Sequence, residues 1–278
     1  MRIFLAGGTG VLGSRLVPRL TAAGHQVTAT TRRPERADRL TLLGAHPAVV
    51  DVYDADRLTE AVEQANPDVI LHELTDLSDY DLEANARLRR EGTANLVAAA
   101  EAAGVPRIIV QNIAWIFPDG DTPATEEDPI NPGTAMETME RLARKLPHAT
   151  ILRYGMLYGP DTWYDLGART ARSVLVGELP ATPAITCFVH VEDAVTATVE
   201  ALDWPDGVYH VVDDEPAPGT TWLPVYAERL GAPAPVVKPL PEGAPVGRAV
   251  SNAKARSRGW QPAYPSWRDG FAQLRDHR

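Results

Sequence analysis

The chain is poor in cysteine and lysine, and it has no long apolar run. One cysteine, Cys187, excludes an intramolecular disulfide, and no Cys/His spacing makes a zinc site, so no metal ligands are expected. The absence of any stretch of 18 apolar residues argues against a membrane-spanning helix. The opening MRIFLAGGTG lacks the apolar core of a secretory signal, so the expected location is the cytoplasm. Basic residues are outnumbered by acidic ones, 27 to 37, for a formal net charge of -10. Phosphate backbones need a basic surface, so no nucleic-acid partner is expected. The 278 residues suffice for one large or two unequal domains.

What is present is an alternation of short apolar runs and amphipathic stretches. Arg2–Ala6 (RIFLA) predicts a strand, and residues 11–23 a helix with Val11, Leu12, Leu16, Val17 and Leu20 on one side and Gly24 as its stop. Strands are then expected at 26–30, 48–51, 69–72, 107–111 and 150–154, and helices at 34–43, 55–65, 82–103 and 136–146. This β-α-β-α order predicts an α/β protein, a Rossmann-type doubly wound parallel sheet with helices on both faces. After about residue 156 prolines become frequent, and 232–245 (APAPVVKPLPEGAP) must be extended or looped. One clear helix follows at 191–201, with Glu192 and Asp193 in its first turn. The expected division is a nucleotide-binding domain over 1–158, to which 185–203 returns, and a smaller, discontinuous C-terminal substrate domain over 159–278.

AGGTGVLG places Gly7, Gly10 and Gly13 between the first strand and the first helix, where a dinucleotide fingerprint belongs. Gly7 permits the tight turn, Gly10 lets backbone amides reach a pyrophosphate, and Gly13 lets the helix pack closely; Val11 and Leu12 supply the backbone between them. At the end of the second strand an acid would serve NAD. Here Thr31 holds that place and Arg32 and Arg33 follow, which suits a 2′-phosphate and predicts NADP, with NAD as the alternative. Glu35 is explained by the helix dipole.

With these residues in place, the chain resembles an extended short-chain dehydrogenase/reductase of the NAD-dependent epimerase/dehydratase group. AGGTGVLG, VVDVYD, DVILHELT, EGTANLVAAAEAAGVPRIIV, LRYGMLYGP, FVHVEDAV and SNAKARSRGWQPAYPSWRDGF resemble family segments in family order. The resemblance implies a seven-stranded parallel sheet and a substrate cleft. It puts Asp51 and Val52 at the adenine, Leu74 and Thr75 beside the cofactor, and dimerisation on the helices at 82–103 and 136–146. It also implies a Ser after the fifth strand and a Tyr-x-x-x-Lys opening the next helix, because hydride transfer to a carbonyl leaves an alkoxide to be protonated.

Those residues are missing. Asn112 or Ile113 stands at the Ser position, Pro132 at the Tyr and Met136 at the Lys. No alignment rescues the dyad, since none of the eight tyrosines is followed four residues later by one of the three lysines, Lys145, Lys238 and Lys254. Asn112, Tyr158 and Tyr164 are the candidate substitutes: an amide that can orient a carbonyl, and two phenols near the expected cleft. Tyr154, Asp161 and Trp163 read as cleft residues and Trp115 with Phe117 as an aromatic wall. His72 and His190 read as scaffold, and Asp76, Asp79 and Asp81 as a solvated loop. Arg248 stands near a family diphosphate-gripping position, but its second arginine is absent.

The expected function is an NADP-dependent oxidoreductase that reduces a carbonyl or imine of a small to medium, biosynthetic substrate with a proton donor other than Tyr. The competing readings are a redox-silent isomerase, cyclase or dehydratase, and a non-enzymatic NADP-binding sensor.

Overall fold

A computed structural model of the chain describes residues 1–77 and 81–274, so Asp79 of the acidic run lies outside the described residues. The chain divides into two compact units. The first comprises Met1–Asn112, Pro132–Leu152 and Thr198–Val208; the second comprises Ile113–Asn131, Arg153–Ala197 and the chain from Tyr209 onward.

The first unit alternates β1 (Arg2–Ala6), α1 (Gly13–Ala22), β2 (Gln26–Thr31), α2 (Ala37–Leu42), β3 (His46–Val49), α3 (Ala55–Ala65), β4 (Val69–His72), α4 (Leu82–Arg87), α5 (Thr93–Ala102), β5 (Arg107–Ile113), α6 (Ala135–Ala143) and β6 (His148–Tyr154). With the strand Gly207–Val211 they make a seven-stranded sheet in which the order is Gly207–Val211, β6, β5, β4, β1, β2, β3. β1 pairs in parallel with β2 and β4, β2 with β3, and β4 with β5. The order reverses between β1 and β4, the switch point at which doubly wound sheets bind ligands.

Burial explains the pattern. All four residues of β4 (VILH) are buried, as a central parallel strand covered on both faces requires. Phe4, Ile70, Ile108 and Ile151 of the sheet share one apolar core with Leu58 and Val62 of α3, Leu96 of α5, and Met139 and Leu142 of α6. α3 starts at Asp54, whose carboxylate accepts from Arg57 N at 3.2 Å, and ends at Asn66 with φ 43. At the start of α6, Thr134 accepts from Glu137 N while Glu137 accepts from Gly133 N, a reciprocal cap.

Several expected boundaries move. The single helix expected at 82–103 is interrupted: a π turn, Leu88–Gly92, separates α4 from α5. Residues 34–43 split into a 3-10 turn, Pro34–Arg36, and α2. β5 runs two residues past the expected 111, and α6 ends at Ala143 rather than 146. The two compact units are cut at other points than 158 and 185–203. Residues 113–131 and 153–158 pack with the C-terminal part, because Ala114 N donates to Tyr154 O and Ala124 N to Ala249 O. Of the 185–203 segment only the part from Thr198 joins the first unit.

The second unit holds an aromatic core of Tyr158, Tyr164, Phe188, Trp222, Tyr226, Trp267 and Phe271. Cys187, next to Phe188 in the chain, is buried and unpaired. Among the described residues no helix is long and apolar enough to cross a membrane, and no group of three or more His, Cys, Asp or Glu could hold a metal ion.

Candidate functional site

The glycine loop joins β1 to α1. Gly7 has φ +99, and a Cβ there would come within 2.9 Å of Glu73 O, so the turn lies directly against the exit of β4. A Cβ on Gly13 would sit 2.1 Å from Gly7 O, which makes the first turn of α1 and the loop inseparable. Above Gly10 a Cβ would meet only Gly7 O, at 3.3 Å. Gly7 N donates to Thr30 Oγ1 and Gly8 N to Thr30 O, tying the loop to β2. The amides of Val11 and Leu12 reach no acceptor among the described residues, and α1 has neither a side-chain cap nor an acid in its first turn. A loop from which side chains are excluded, ending in open amides at the positive end of a helix, fits a dinucleotide's pyrophosphate.

On the β2 side, Thr31 is buried, and its hydroxyl accepts from Arg33 N at 3.2 Å. Arg32 and Arg33 are exposed. Asp51 lines a shallow depression with Tyr53, Asp54, Ala55 and Asp56. One Asp51 oxygen accepts from Tyr53 N at 3.0 Å. The Arg87 guanidinium lies 4.4 Å from the Tyr53 ring centroid, and burial holds the Tyr53 hydroxyl above its ordinary pKa. Val52 is buried, with its carbonyl accepting from Asn95.

On the β4 side, the backbone of Leu74 is fixed at both ends: its N–H donates to His72 Nδ1 and its carbonyl accepts from Gln111 Nε2. His72 is fully buried, and Nε2 meets Thr93 Oγ1 at 2.9 Å. With Nδ1 accepting, Nε2 carries the proton and the ring is neutral. Burial, helped by Arg89, pushes its pKa down to about 3. Thr75, exposed, follows.

Asn112, the last residue but one of β5, is fully buried, and its amide is engaged at both ends. Oδ1 accepts from Arg89 Nη1 at 2.9 Å, and Nδ2 faces Glu140 Oε1 at 2.9 Å and Met136 O at 3.3 Å. Glu140 in turn takes Arg144 Nη2 at 3.2 Å. The result is a charge-bearing chain, Arg89–Asn112–Glu140–Arg144, reaching from the π turn to α6. The Asn112 amide thereby links Arg89 to Glu140 and to the backbone of Met136.

The two candidate tyrosines are both buried. Tyr158 is fully buried, its hydroxyl reaching Ser266 O at 3.4 Å and its ring edge-on to Phe188, His190 and Phe271. A Cβ on Gly270 would overlap this ring, and burial pushes the phenol far above its ordinary pKa. Tyr164 packs among Phe188, Trp222, Tyr226 and Phe271. Both rings belong to the aromatic core of the second unit. His190 stacks on Tyr264 and accepts from Glu192 N, a capping role. Arg248 is held by Thr122 and Asp128. Phe117 is buried against His210, whereas Trp115 is exposed.

Residues 3–212 match the profile of the NAD dependent epimerase/dehydratase family. The chain belongs to that family. A Streptomyces protein described as 3-diazoavenalumate denitrifying reductase is 41% identical over 310 aligned positions, which cover 98% of this chain and 100% of that protein. A Stigmatella aurantiaca ketoreductase, acting on 4-hydroxy-2-methyl-3-oxo-4-farnesyl-3,4-dihydroquinoline-1-oxide, is 33% identical over 134 residues, 48% of this chain and 39% of that protein. The UDP-glucose 4-epimerase of Thermus thermophilus, solved in complex with NAD, superposes with a TM-score of 0.79 at 24% identity, over 99% of this chain and 97% of that one.

In this member of the epimerase/dehydratase family, Met136 lies beside the buried polar chain, its carbonyl accepting from Asn112. Sequence reasoning missed Arg89, the first link of that chain. In the string RLRREG it looks like one more exposed arginine, and only the π turn buries it, at 2% exposure. Its Nε has no hydrogen-bond partner among the described residues, and burial lowers its pKa to about 10.

Proposed function

We propose that the protein is an NAD(P)-dependent oxidoreductase that reduces a diazo group with loss of dinitrogen, and that it prefers NADP. The observation that carries this reading is the absence of a Tyr-x-x-x-Lys dyad together with the end-to-end similarity to a denitrifying reductase. A carbonyl reductase must protonate the alkoxide it forms. Hydride arriving at an aryl diazonium group raises no such demand. Counted over the whole reaction, the hydride pair ends in a C–H bond, the C–N pair leaves on dinitrogen, and no net proton is taken from the protein. The proton that the Tyr would supply is then not needed.

When bound, the nicotinamide supplies the hydride. The chain's own residues bind and orient: Gly7, Gly10, Val11, Leu12 and Gly13 for the pyrophosphate, Asp51 and Val52 for the adenosine, Thr31, Arg32 and Arg33 for the 2′-phosphate, and Leu74 and Thr75 along the β4 exit. Carbonyl or imine reduction is the second reading, supported by the ketoreductase match. The reductases among the relatives weigh against the isomerase and sensor readings.

The test is direct. Purified protein is given NADPH or NADH with aryl diazonium carboxylates, ketones and imines in parallel. Cofactor oxidation above the enzyme-free rate, matched mole for mole by dinitrogen, is the expected result. Turnover of ketones with none of the diazonium compounds would sink the proposal.

A further inference from the structure

The end of β2 offers no carboxylate in the sequence, yet the fold delivers one there. Arg32 extends toward Asp76, which lies four residues beyond β4. The two side chains meet fork to fork: Nη1 to Oδ2 at 3.5 Å and Nη2 to Oδ1 at 3.4 Å. β2 and β4 flank β1 on either side. A contact between the exits of β2 and β4 therefore passes across the C-terminal end of β1, where the glycine loop begins. Asp76 is held in place, since its N–H donates to the buried Asn85 Oδ1 at 3.0 Å. Its charge also adds to the larger effect of burial in raising the pKa of Tyr53, which lies in the depression beside Asp51.

We infer that Asp76 is a specificity-determining residue for the dinucleotide: it competes with the cofactor's 2′-phosphate for Arg32 and so moderates the preference for NADP over NAD. This rests on the NADP reading given above. The distances are at the outer limit of a hydrogen bond, and an exposed pair of this kind is weak, so a phosphate dianion can displace the carboxylate. Displacement is opposed nonetheless, because Asp76 stays close to the incoming phosphate and like charges repel. NAD, which lacks that phosphate, leaves the pair closed and meets no such repulsion.

Binding of adenosine fragments tests this without turnover. 2′,5′-ADP and 5′-AMP are titrated calorimetrically into wild type, Asp76→Asn, Arg32→Ala and the double variant. Asp76→Asn is expected to tighten 2′,5′-ADP about five- to tenfold, the scale of a released surface pair plus relieved repulsion. 5′-AMP should change less than about twofold, since nothing it carries competes for Arg32. Arg32→Ala should loosen 2′,5′-ADP, and in that background the gain from Asp76→Asn should shrink. If Arg32→Ala loosens 2′,5′-ADP but Asp76→Asn does not tighten it, the role of Asp76 is overturned and the NADP reading stands. If Arg32→Ala leaves 2′,5′-ADP binding unchanged, both fall together. Both side chains are partly exposed, at 49% and 22%, so the variants should fold, and thermal melting checks that they do.

Discussion

Tyr158→Phe removes one long hydrogen bond, to Ser266 O, from an aromatic cluster that keeps every other contact. The expected result is turnover within about twofold of wild type and a stability change below about 1.5 kcal/mol, read from urea unfolding. A catalytic phenol would instead lose orders of magnitude in rate. Two other buried groups make stability depend on pH. His72 has a folded pKa near 3, below its ordinary 6.5. The unfolded chain therefore takes up the proton first, and the stability His72 contributes is complete above pH 6.5 and drains away as pH falls toward 3. Asp213 behaves oppositely: burial raises its pKa from 3.8 to about 8. Its contribution is complete below pH 3.8 and is lost as pH rises to 8, because the folded state holds the proton more tightly. Asp213→Asn should accordingly stabilise the protein at about pH 8.5 by about 1–3 kcal/mol and give little gain at about pH 4, as measured by denaturant titration at the two pH values.

At the level of elements, the two features that matter most for the site are the glycine loop and the π turn, and they were not equally visible. The loop is written in adjacent residues: the spacing of Gly7, Gly10 and Gly13 carries the whole geometry, and the flanking strand and helix can be read beside it. Gly13→Ala would push a methyl group to 2.1 Å from Gly7 O. It is expected to cost about 1–3 kcal/mol of stability and most of the dinucleotide affinity, by calorimetry. The π turn left no mark in the sequence, since 82–103 has ordinary helical composition. Its extra residue changes which side chains face inward, and Arg89, within the turn, donates to Asn112. Arg89→Met should strand Asn112 Oδ1 and leave Glu140 with less positive charge nearby, lowering stability by about 3 kcal/mol in urea unfolding. The burial of Tyr158 and Tyr164 was hidden for a related reason. A tyrosine near a loop signals a useful hydroxyl, but Phe188, Trp222 and Phe271, distant in sequence, decide whether that hydroxyl is reachable. Asp76 shows the same dependence, being read as a solvated loop until the strand order set it beside Arg32.

For the molecule as a whole, family and sheet were legible because β-α alternation fixes a parallel sheet with few alternatives. The division into units was not, because residues 113–131 return to the C-terminal part through backbone bonds that no local pattern announces. The reaction belongs to this scale as well. On the reading proposed above no alkoxide needs a phenol to protonate it, and none of the three lysines stands four residues after a tyrosine. Cys187 offers a means of watching the fold open. Its thiol is buried, its pKa is raised to about 11, and no second cysteine competes with it. A thiol reagent at neutral pH finds almost no thiolate and no path to it until that part of the chain comes apart. When the reagent is concentrated enough to react faster than the chain recloses, the rate at which it consumes the protein is the rate of opening, a stopwatch that runs without any added label.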